Sequence, residues 1–173
     1  MRTVSVISGV AAAALTVIGS LAATPLAHAS NFGVELNGTW RAQSNGSYAK
    51  TNDVYMDELT IIQTLTINSS CLSPIECTGT VKSDQGWTAG MRLQFGFWTA
   101  DRVVPHWLPC PDGSFSDVNE KLIFWGVDPS RNEKNLKITD LLAGRDIFKG
   151  PSGGCGINKP IDVEYPLRLE RLT

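Results

Sequence analysis

The chain has 173 residues, with 15 Lys and Arg against 17 Asp and Glu and a formal net charge of −2. The basic residues are scattered and form no block or helical stripe, which argues against nucleic-acid binding. The length suits one domain with a sizeable hydrophobic core.

The N-terminus has the pattern of a secretory signal. A positive start and an apolar stretch over residues 4–23 precede Ala27 and Ala29, which offer the small side chains that signal peptidase needs. We predict a signal helix within 1–29 and one secreted β domain over 30–173, extracellular or in the cell wall. An uncleaved membrane anchor is the alternative, since about 20 apolar residues can span a bilayer. After cleavage no stable membrane span is expected.

From residue 36 onward the apolar residues alternate with polar ones at period two, in runs rich in Thr, Val, Ile, Trp and Phe. This alternation is typical of half-buried strands, and turn residues separate the runs. The predicted strands are 38–43, 58–68, 78–83, 91–99, 102–106, 122–127, 136–138, 145–148 and 161–172. A short helix competes only at 135–142, which stays undecided. Eight or nine antiparallel strands predict an all-β domain, a small barrel or a sandwich.

All four cysteines lie in the part that we predict to be exported, and an even number in an oxidising compartment predicts disulfides. Cys71 and Cys77 flank a short segment that can close a tight loop, which leaves Cys110 to pair with Cys155. A metal site would need closely spaced cysteines or several histidines, and His106 is the only histidine after residue 29. We therefore predict two disulfides and no metal or cofactor.

Five tryptophans are many for so small a domain, and each offers a large apolar area with a polar tip. Most of them are expected to pack in the core, while some could line an apolar cavity, because a small barrel can enclose a ligand. Trp87 and Trp107 adjoin turn sequences and are the better rim candidates. The candidate ligand-binding residues are Trp40, Trp87, Trp98, Trp107 and Trp125.

No convincing catalytic constellation is present. A nucleophilic triad needs a His base oriented by a carboxylate, and the sequence offers only His106 with Asp101 or Asp112. In a continuous strand, Asp101 and His106 point to opposite faces, so Asp101 is badly placed to orient the imidazole. We assign no catalytic residue, and a small envelope hydrolase using His106 remains an alternative.

Four motifs in order resemble a family of mycobacterial secreted proteins of uncharacterised function. They are YAKTND at 48–53, SDQGW at 83–87, WLPCPDG at 107–113 and GPSGGCG at 150–156. The resemblance covers almost the whole chain after residue 29. It implies export, paired cysteines and a compact β domain, and it brings no activity with it.

A second pattern is similar to the first strand of lipocalins. In that family an upstream Phe, here Phe32, precedes Gly-x-Trp, here ending at Trp40, and the resemblance implies that Arg168 or Arg171 packs over this Trp. Arg41 stands where a Tyr is common in lipocalins, and the cysteine arrangement also departs from them.

Together these observations favour a non-catalytic binding module of the cell envelope. The expected partner is an apolar small molecule or lipid, or a protein. A structural or antigenic surface protein without a small ligand is a further alternative.

Overall fold

Eight strands close into an antiparallel barrel. The computed structural model describes residues 31–156 and 158–172, so the predicted signal peptide lies outside the described part. Around the ring, β1 pairs with β4, followed by β5, β6, β7, β8, β10 and β11, and β11 pairs back with β1. The strands of the ring are β1 (Gly38–Ser44), β4 (Ile61–Ser73), β5 (Glu76–Ser83), β6 (Thr88–Gln94), β7 (Phe97–Pro109), β8 (Phe115–Asp128), β10 (Leu141–Lys149) and β11 (Asp162–Arg171).

Three two-residue strands add to the wall: β2 (Lys50–Thr51) and β3 (Val54–Tyr55) extend β11, and β9 (Glu133–Lys134) pairs with β8. Closure decides between the barrel and the sandwich that the sequence left open. It also removes the exposed edges that an open sheet would present.

The predicted alternation is visible strand by strand. On β6, Ala89, Met91 and Leu93 are buried and their neighbours are exposed, so one face of the strand points into the barrel. The interior holds two apolar clusters. The near-end cluster, at the end of the barrel where β1 begins, is built around Trp40, Leu65, Trp98, Phe124 and Leu169. The far-end cluster contains Ala49, Val118, Phe148, Val163 and Tyr165.

Two segments cover the near end. Residues 31–37 lie along β4, where the Leu36 amide donates to Ser69 Oγ (2.8 Å) and the Ser69 amide donates to Asn37 Oδ1 (2.8 Å). The segment between β9 and β10 covers the other side, and its Thr139 carbonyl accepts a hydrogen bond from Trp40 Nε1 (2.9 Å). The near end is therefore closed by apolar side chains and satisfied backbone groups.

Both predicted disulfides are confirmed. Cys71 and Cys77 face each other across the β4–β5 hairpin, with Cα atoms 3.9 Å apart. Cys110, after β7, is joined to Cys155, between β10 and β11, with a Cα separation of 5.0 Å. One disulfide therefore lies at each end of the barrel.

Two strand predictions were wrong in detail. The predicted strand 91–99 is interrupted at Phe95 and Gly96, which form a two-residue hairpin turn between β6 and β7 with φ angles of 54° and 76°. The predicted strand 136–138 is a turn, in which the Ile138 amide donates to the Asn135 carbonyl (3.1 Å). The undecided segment 135–142 therefore forms this turn and the start of β10.

Candidate functional site

A groove with aromatic walls runs along the outer face of β6, β7, β8 and β10. Phe97 and Trp125 lie side by side on β7 and β8, with ring centroids 5.4 Å apart and planes at 86°, an edge-to-face contact. The groove has a volume of about 290 Å³. It is lined by Arg92, Gln94, Phe95, Phe97, Thr99, Lys121, Ile123 and Arg145.

Cationic side chains surround the apolar residues of the groove, Phe97 and Ile123. Arg92 and Lys121 approach Asp101 at 3.8 and 3.6 Å, and Arg145 approaches Glu164 at 3.3 Å. These pairs are half exposed, and ion pairs of that kind contribute little to stability. A partner could therefore draw the cations away from their present carboxylates at small cost.

Lys134 also contacts the groove, because its Nζ lies 3.5 Å from the centroid of the Phe97 ring. A cation over an aromatic face is favourable, and at an exposed site the contact is worth about 0.5–1 kcal/mol. It holds Phe97 in place at the β9 side of the groove.

Phe95 stands at the end of the groove in an unusual state. Its side chain is 94% exposed, and its φ of 54° lies in the left-handed region that favours Gly, Asn and Asp. The other two-residue turn with both φ angles positive, between β2 and β3, has Asn52 and Asp53 at these positions. The β2–β3 turn thus has residues that favour this backbone conformation, whereas the β6–β7 turn has an exposed Phe at its first position.

A polar belt crosses the interior between the two apolar clusters. It consists of Ser44, Gln63, Ser83, Arg102, Glu120 and Asp146. On β8 the belt residue Glu120 lies between Val118 of the far-end cluster and Leu122 of the near-end cluster, all three facing inward. The belt therefore separates the two clusters at mid-height.

The belt is connected by hydrogen bonds and charge. Arg102 forms an ion pair with Glu120 on the neighbouring strand, and its guanidinium carbon lies 4.4 Å from the centroid of the Trp87 ring. Ser44 Oγ donates to Asp146 Oδ2 (2.6 Å). These contacts account for charged groups inside a barrel, where an unpaired charge would be very costly.

Burial changes the protonation of this belt. Burial, together with the nearby negative charge of Glu120, raises the pKa of Asp146 to about 8. Burial also raises the pKa of Glu120, although the Arg102 guanidinium opposes this shift. Asp146 therefore keeps a proton at neutral pH, which removes one of two adjacent buried charges.

A second depression, more polar, lies outside β10 and β11 at the far end. It has a volume of about 560 Å³. Its walls are Lys50, Asn52, Asp53, Arg145, Lys149, Lys159, Pro160, Asp162 and Glu164. Cations and carboxylates alternate there, with Lys149 approaching Asp162 at 4.0 Å, so the depression has no strong preference for either sign of charge.

The five tryptophans that the sequence offers as candidate ligand-binding residues lie in different environments. Trp40 and Trp98 are buried in the near-end cluster. Trp107 stacks on Phe148 with centroids 4.9 Å apart, and half-buried Trp87 donates from Nε1 to Gln63 Oε1 (3.1 Å). Trp125 contacts Phe97, which lines the outer groove. Their side chains do not converge on a single site.

The structure gives His106 no carboxylate partner for its ring among the residues it describes. His106 lies at an irregularity of the β7–β8 pairing, its amide donates to Asp117 Oδ1 (2.9 Å), and its ring contacts Phe115. Asp101 is engaged by Arg92 and Lys121. Hydrogen bonds from Ser114 hold the pKa of Asp112 below its usual value. These contacts do not assemble the alternative hydrolase site.

The Arg expected over Trp40 is Arg171. Its guanidinium carbon lies 5.3 Å from the centroid of the Trp40 ring, and its Nη2 donates to the Asn37 carbonyl (2.7 Å). Arg168 instead pairs with Glu170 on the outside of β11.

Sequence reasoning missed Phe95, Phe97 and Ile123 as surface residues, and Arg102, Glu120 and Asp146 as interior ones. One signal was available for the first group: Gly96 interrupts the alternation. A two-residue turn after Gln94 places Phe97 on the outside and Trp98 on the inside. The belt residues carry no such local signal, because charged residues in a strand ordinarily face solvent.

Within residues 31–156 and 158–172, no group of three or more His, Cys, Asp and Glu side chains is arranged to hold a metal ion. In the same part of the chain, no helix has the length and apolar character needed to cross a membrane.

Comparison with known proteins shows similarity at the level of the fold. No protein-family model matches the chain, and no curated protein sequence matches it. A similar solved structure is the monomer form of the sensor domain of PknI from M. tuberculosis, with a TM-score of 0.56 and 15% sequence identity. The similarity covers 79% of this chain and 87% of that one. The chain therefore shares its barrel architecture with a mycobacterial sensor domain.

Proposed function

We propose that the protein is an exported, non-catalytic binding module that contacts a protein partner through the outer aromatic groove. The observation that carries this proposal is Phe95, which is almost fully exposed and has a backbone conformation that disfavours a large side chain. Strained conformations of this kind cost about 1–3 kcal/mol and tend to occur at functional sites. An exposed aromatic ring adds a further cost in water, which contact with a partner would remove.

The chemistry of the groove indicates the kind of partner. The apolar lining of the groove includes Phe97 and Ile123, and Trp125 packs against Phe97. Arg92, Lys121 and Arg145 border this apolar surface. Aromatic and Arg side chains are enriched among residues that dominate binding energy at protein interfaces. The groove suits a polypeptide segment that presents an apolar side chain flanked by carboxylates.

The closed ring restricts how such a segment binds. Each of the eight ring strands has a strand neighbour on both sides, so a partner would dock by its side chains and would not add a strand to the wall. The similarity in fold to a sensor domain, together with two disulfides that suit an oxidising compartment, supports an exported role. Trp125 is the candidate ligand-binding residue that this proposal retains.

Site-specific photo-crosslinking in the exporting host tests the proposal. A photoreactive phenylalanine analogue replaces Phe97 in the groove, and the same analogue replaces Arg41, which is exposed on β1 at the opposite side of the ring, as the matched control. We expect a discrete protein adduct from position 97 and none from position 41. Adding Phe95→Ser should reduce the adduct at least about ten-fold, the loss of one strong interface contact.

Equal adducts from both positions would show that the groove has no special role. An adduct from position 97 that is unaffected by Phe95→Ser would also contradict the proposal, because Phe95 is the residue on which it depends.

A further inference from the structure

The chain itself contains a segment of the kind that the groove suits. Residues 53–59, at the far end of the barrel, combine large exposed apolar side chains with carboxylates and include no basic residue. The apolar side chains are 52–88% exposed and belong to Val54, Tyr55, Met56 and Leu59. The carboxylates belong to Asp53, Asp57 and Glu58, and within residues 31–156 and 158–172 none of the three forms an ion pair. Exposed apolar side chains grouped in this way mark a contact surface.

The backbone of this segment is fixed by its neighbours in the chain. The Met56 amide donates to the Ala49 carbonyl (3.1 Å), and the Glu58 amide donates to the Gly46 carbonyl (3.1 Å). Gly46 permits this close approach, since a Cβ there would collide with the Glu58 carbonyl. The segment therefore has a defined shape before any partner binds, which lowers the entropic cost of binding.

The groove and the segment lie on either side of β10. In the strand order β6, β7, β8, β10, β11, β2, β3, strand β10 is the middle one of seven. The groove extends from β10 to β6 and ends at Phe95 at the near end, whereas 53–59 continues from the β2–β3 turn at the far end. Arg145 on β10 lines both the groove and the polar depression, and Asp53 lies in the wall of that depression. One continuous surface thus carries the groove on one side of Arg145 and the segment on the other.

From this arrangement we infer that the partner bound by the groove is a second copy of this chain, an inference that rests on the function proposed above. A rotation by 180° about an axis through the barrel wall at Arg145 exchanges β6 with β3 and the near end with the far end. It brings residues 53–59 of each copy to the groove of the other, so that two equivalent contacts form and the pair is closed. The segment does not fill the groove of its own copy, because its hydrogen bonds to residues 46–49 hold it on the opposite side of β10.

The charges of the two surfaces are complementary. The cations that border the groove are held only by half-exposed ion pairs, and Asp57 and Glu58 of the segment are exposed without a basic partner in their own copy among the described residues. Complementary charges favour the correct partner and align it. The apolar side chains of the segment cover Phe97 and Ile123, which removes apolar surface of both copies from water.

Charge reversal with complementation tests this inference on the purified, exported protein. Arg92→Glu with Lys121→Glu makes the border of the groove acidic, and Asp57→Lys with Glu58→Lys makes the segment basic. Analytical ultracentrifugation should show a dimer for the parent and, for each variant alone, a dimer dissociation constant raised about ten-fold or more. A one-to-one mixture of the two variants should recover the dimer, because both contacts of the mixed pair again join opposite charges. Native mass spectrometry identifies the mixed dimer, since the two variants differ in mass.

Arg41→Glu with Lys82→Glu is the matched control. It reverses two exposed basic residues on β1 and β5, outside the groove, and changes the net charge by the same amount as the groove variant. This control should dimerise like the parent. Intact mass, which reports both disulfides, and tryptophan fluorescence establish that every variant folds.

Three outcomes of these measurements would overturn the inference. They are a parent that stays monomeric up to about 1 mM, a groove or segment variant that dimerises like the parent, and a mixture of the two variants that stays monomeric. A control variant that loses the dimer would also count against it, because the contact would then depend on net charge and not on these two surfaces.

Photo-crosslinking from position 97 separates this inference from the proposal for the groove. We expect the adduct to join position 97 of one copy to residues 53–59 of another. An adduct with a different protein would leave the proposal for the groove in place and overturn this inference, whereas the absence of any adduct would overturn both.

Discussion

At the centre of the barrel, Glu120 and Asp146 are 2% and 0% exposed, whereas Phe95 on the outside is 94% exposed. Two charged groups thus lie among the buried residues and one aromatic residue lies on the surface, each the reverse of its usual location. The two regions differ in whether their partners are present within the chain. The interior carboxyls have partners within the chain, since Glu120 is ion-paired to Arg102 and Asp146 accepts a hydrogen bond from Ser44. Phe95 has no aromatic or cation contact among those observed in the described residues.

This difference assigns separate roles to the two regions. A buried charged group with its partners in place is part of the fold, and it rarely contributes net stability, although removing one partner is strongly destabilising. An exposed apolar group without a partner is a cost that the fold alone does not explain. The interior belt is therefore a structural feature, and the outer groove is the candidate functional surface.

The largest expected effect follows from breaking the belt. Arg102→Ala should lower the free energy of unfolding by about 3 kcal/mol, because it leaves the buried Glu120 carboxylate without its counterion. Removing one partner of a buried ion pair usually costs about 3–5 kcal/mol. The low end of that range applies because the Arg102 side chain is 20% exposed. Urea unfolding at neutral pH measures this change.

The control for this substitution is Lys121→Ala, which removes a half-exposed ion pair to Asp101 and should cost less than about 1 kcal/mol. If both substitutions had the same small effect, the belt charges would not be buried as described. Adding Glu120→Gln to Arg102→Ala should restore part of the loss.

The pH dependence of stability is the next largest effect. Asp146 has its pKa raised from 3.8 to about 8, so between these values the folded protein retains a proton that the unfolded chain has lost. The contribution of Asp146 is fully present below about pH 4 and is lost as the pH rises through about 8, which makes stability fall with increasing pH in that window. Urea unfolding across the window measures the slope.

Asp146→Asn mimics the protonated side chain and should reduce this slope while leaving the protein folded at neutral pH. The raised pKa of Glu120 contributes the slope that remains. A wild-type stability that rises from pH 4 to 8, or a slope that Asp146→Asn does not reduce, would contradict a neutral Asp146 in the folded state.

The smallest effect concerns the outer surface and has the opposite sign. Phe95→Gly should raise the free energy of unfolding by about 1 kcal/mol, because glycine adopts a φ of 54° without the steric cost borne by Phe. Thermal and urea unfolding detect a change of this size.

Phe97→Gly is the matched control, since Phe97 lies in β7, where glycine weakens the strand. This substitution should destabilise the protein by a similar amount. If both substitutions changed the free energy of unfolding in the same direction, the backbone conformation at position 95 would not disfavour Phe. A more stable Phe95→Gly variant that loses the position-97 adduct would sharpen the contrast between stability and binding.

Much of the fold could be predicted from local pattern. Alternation of apolar and polar residues follows the two-residue period of a strand, so strands such as β1, β5 and β11 were found nearly at their observed bounds. The hairpin at Phe95 was missed because Phe is a strand residue by propensity and Gly96 alone marked the turn. The segment 136–138 has strand-like composition, but Gly126 leaves room for its backbone to pack as a turn across β8, where any side chain would collide with the Asn135 and Ile138 carbonyls.

By itself the sequence determined the all-β class and the pairing of the cysteines, because period-two alternation and the short loop between Cys71 and Cys77 are local properties of the chain. Only the tertiary structure decided that the sheet closes, since pairing Trp40 with Arg171 joins residues near opposite ends of the chain. It also decided which side of the wall each residue faces. Closure turned Arg102, Glu120 and Asp146 inward, where Arg102 pairs with Glu120 and Asp146 accepts a hydrogen bond from Ser44. A single two-residue turn left Phe95 and Phe97 outside.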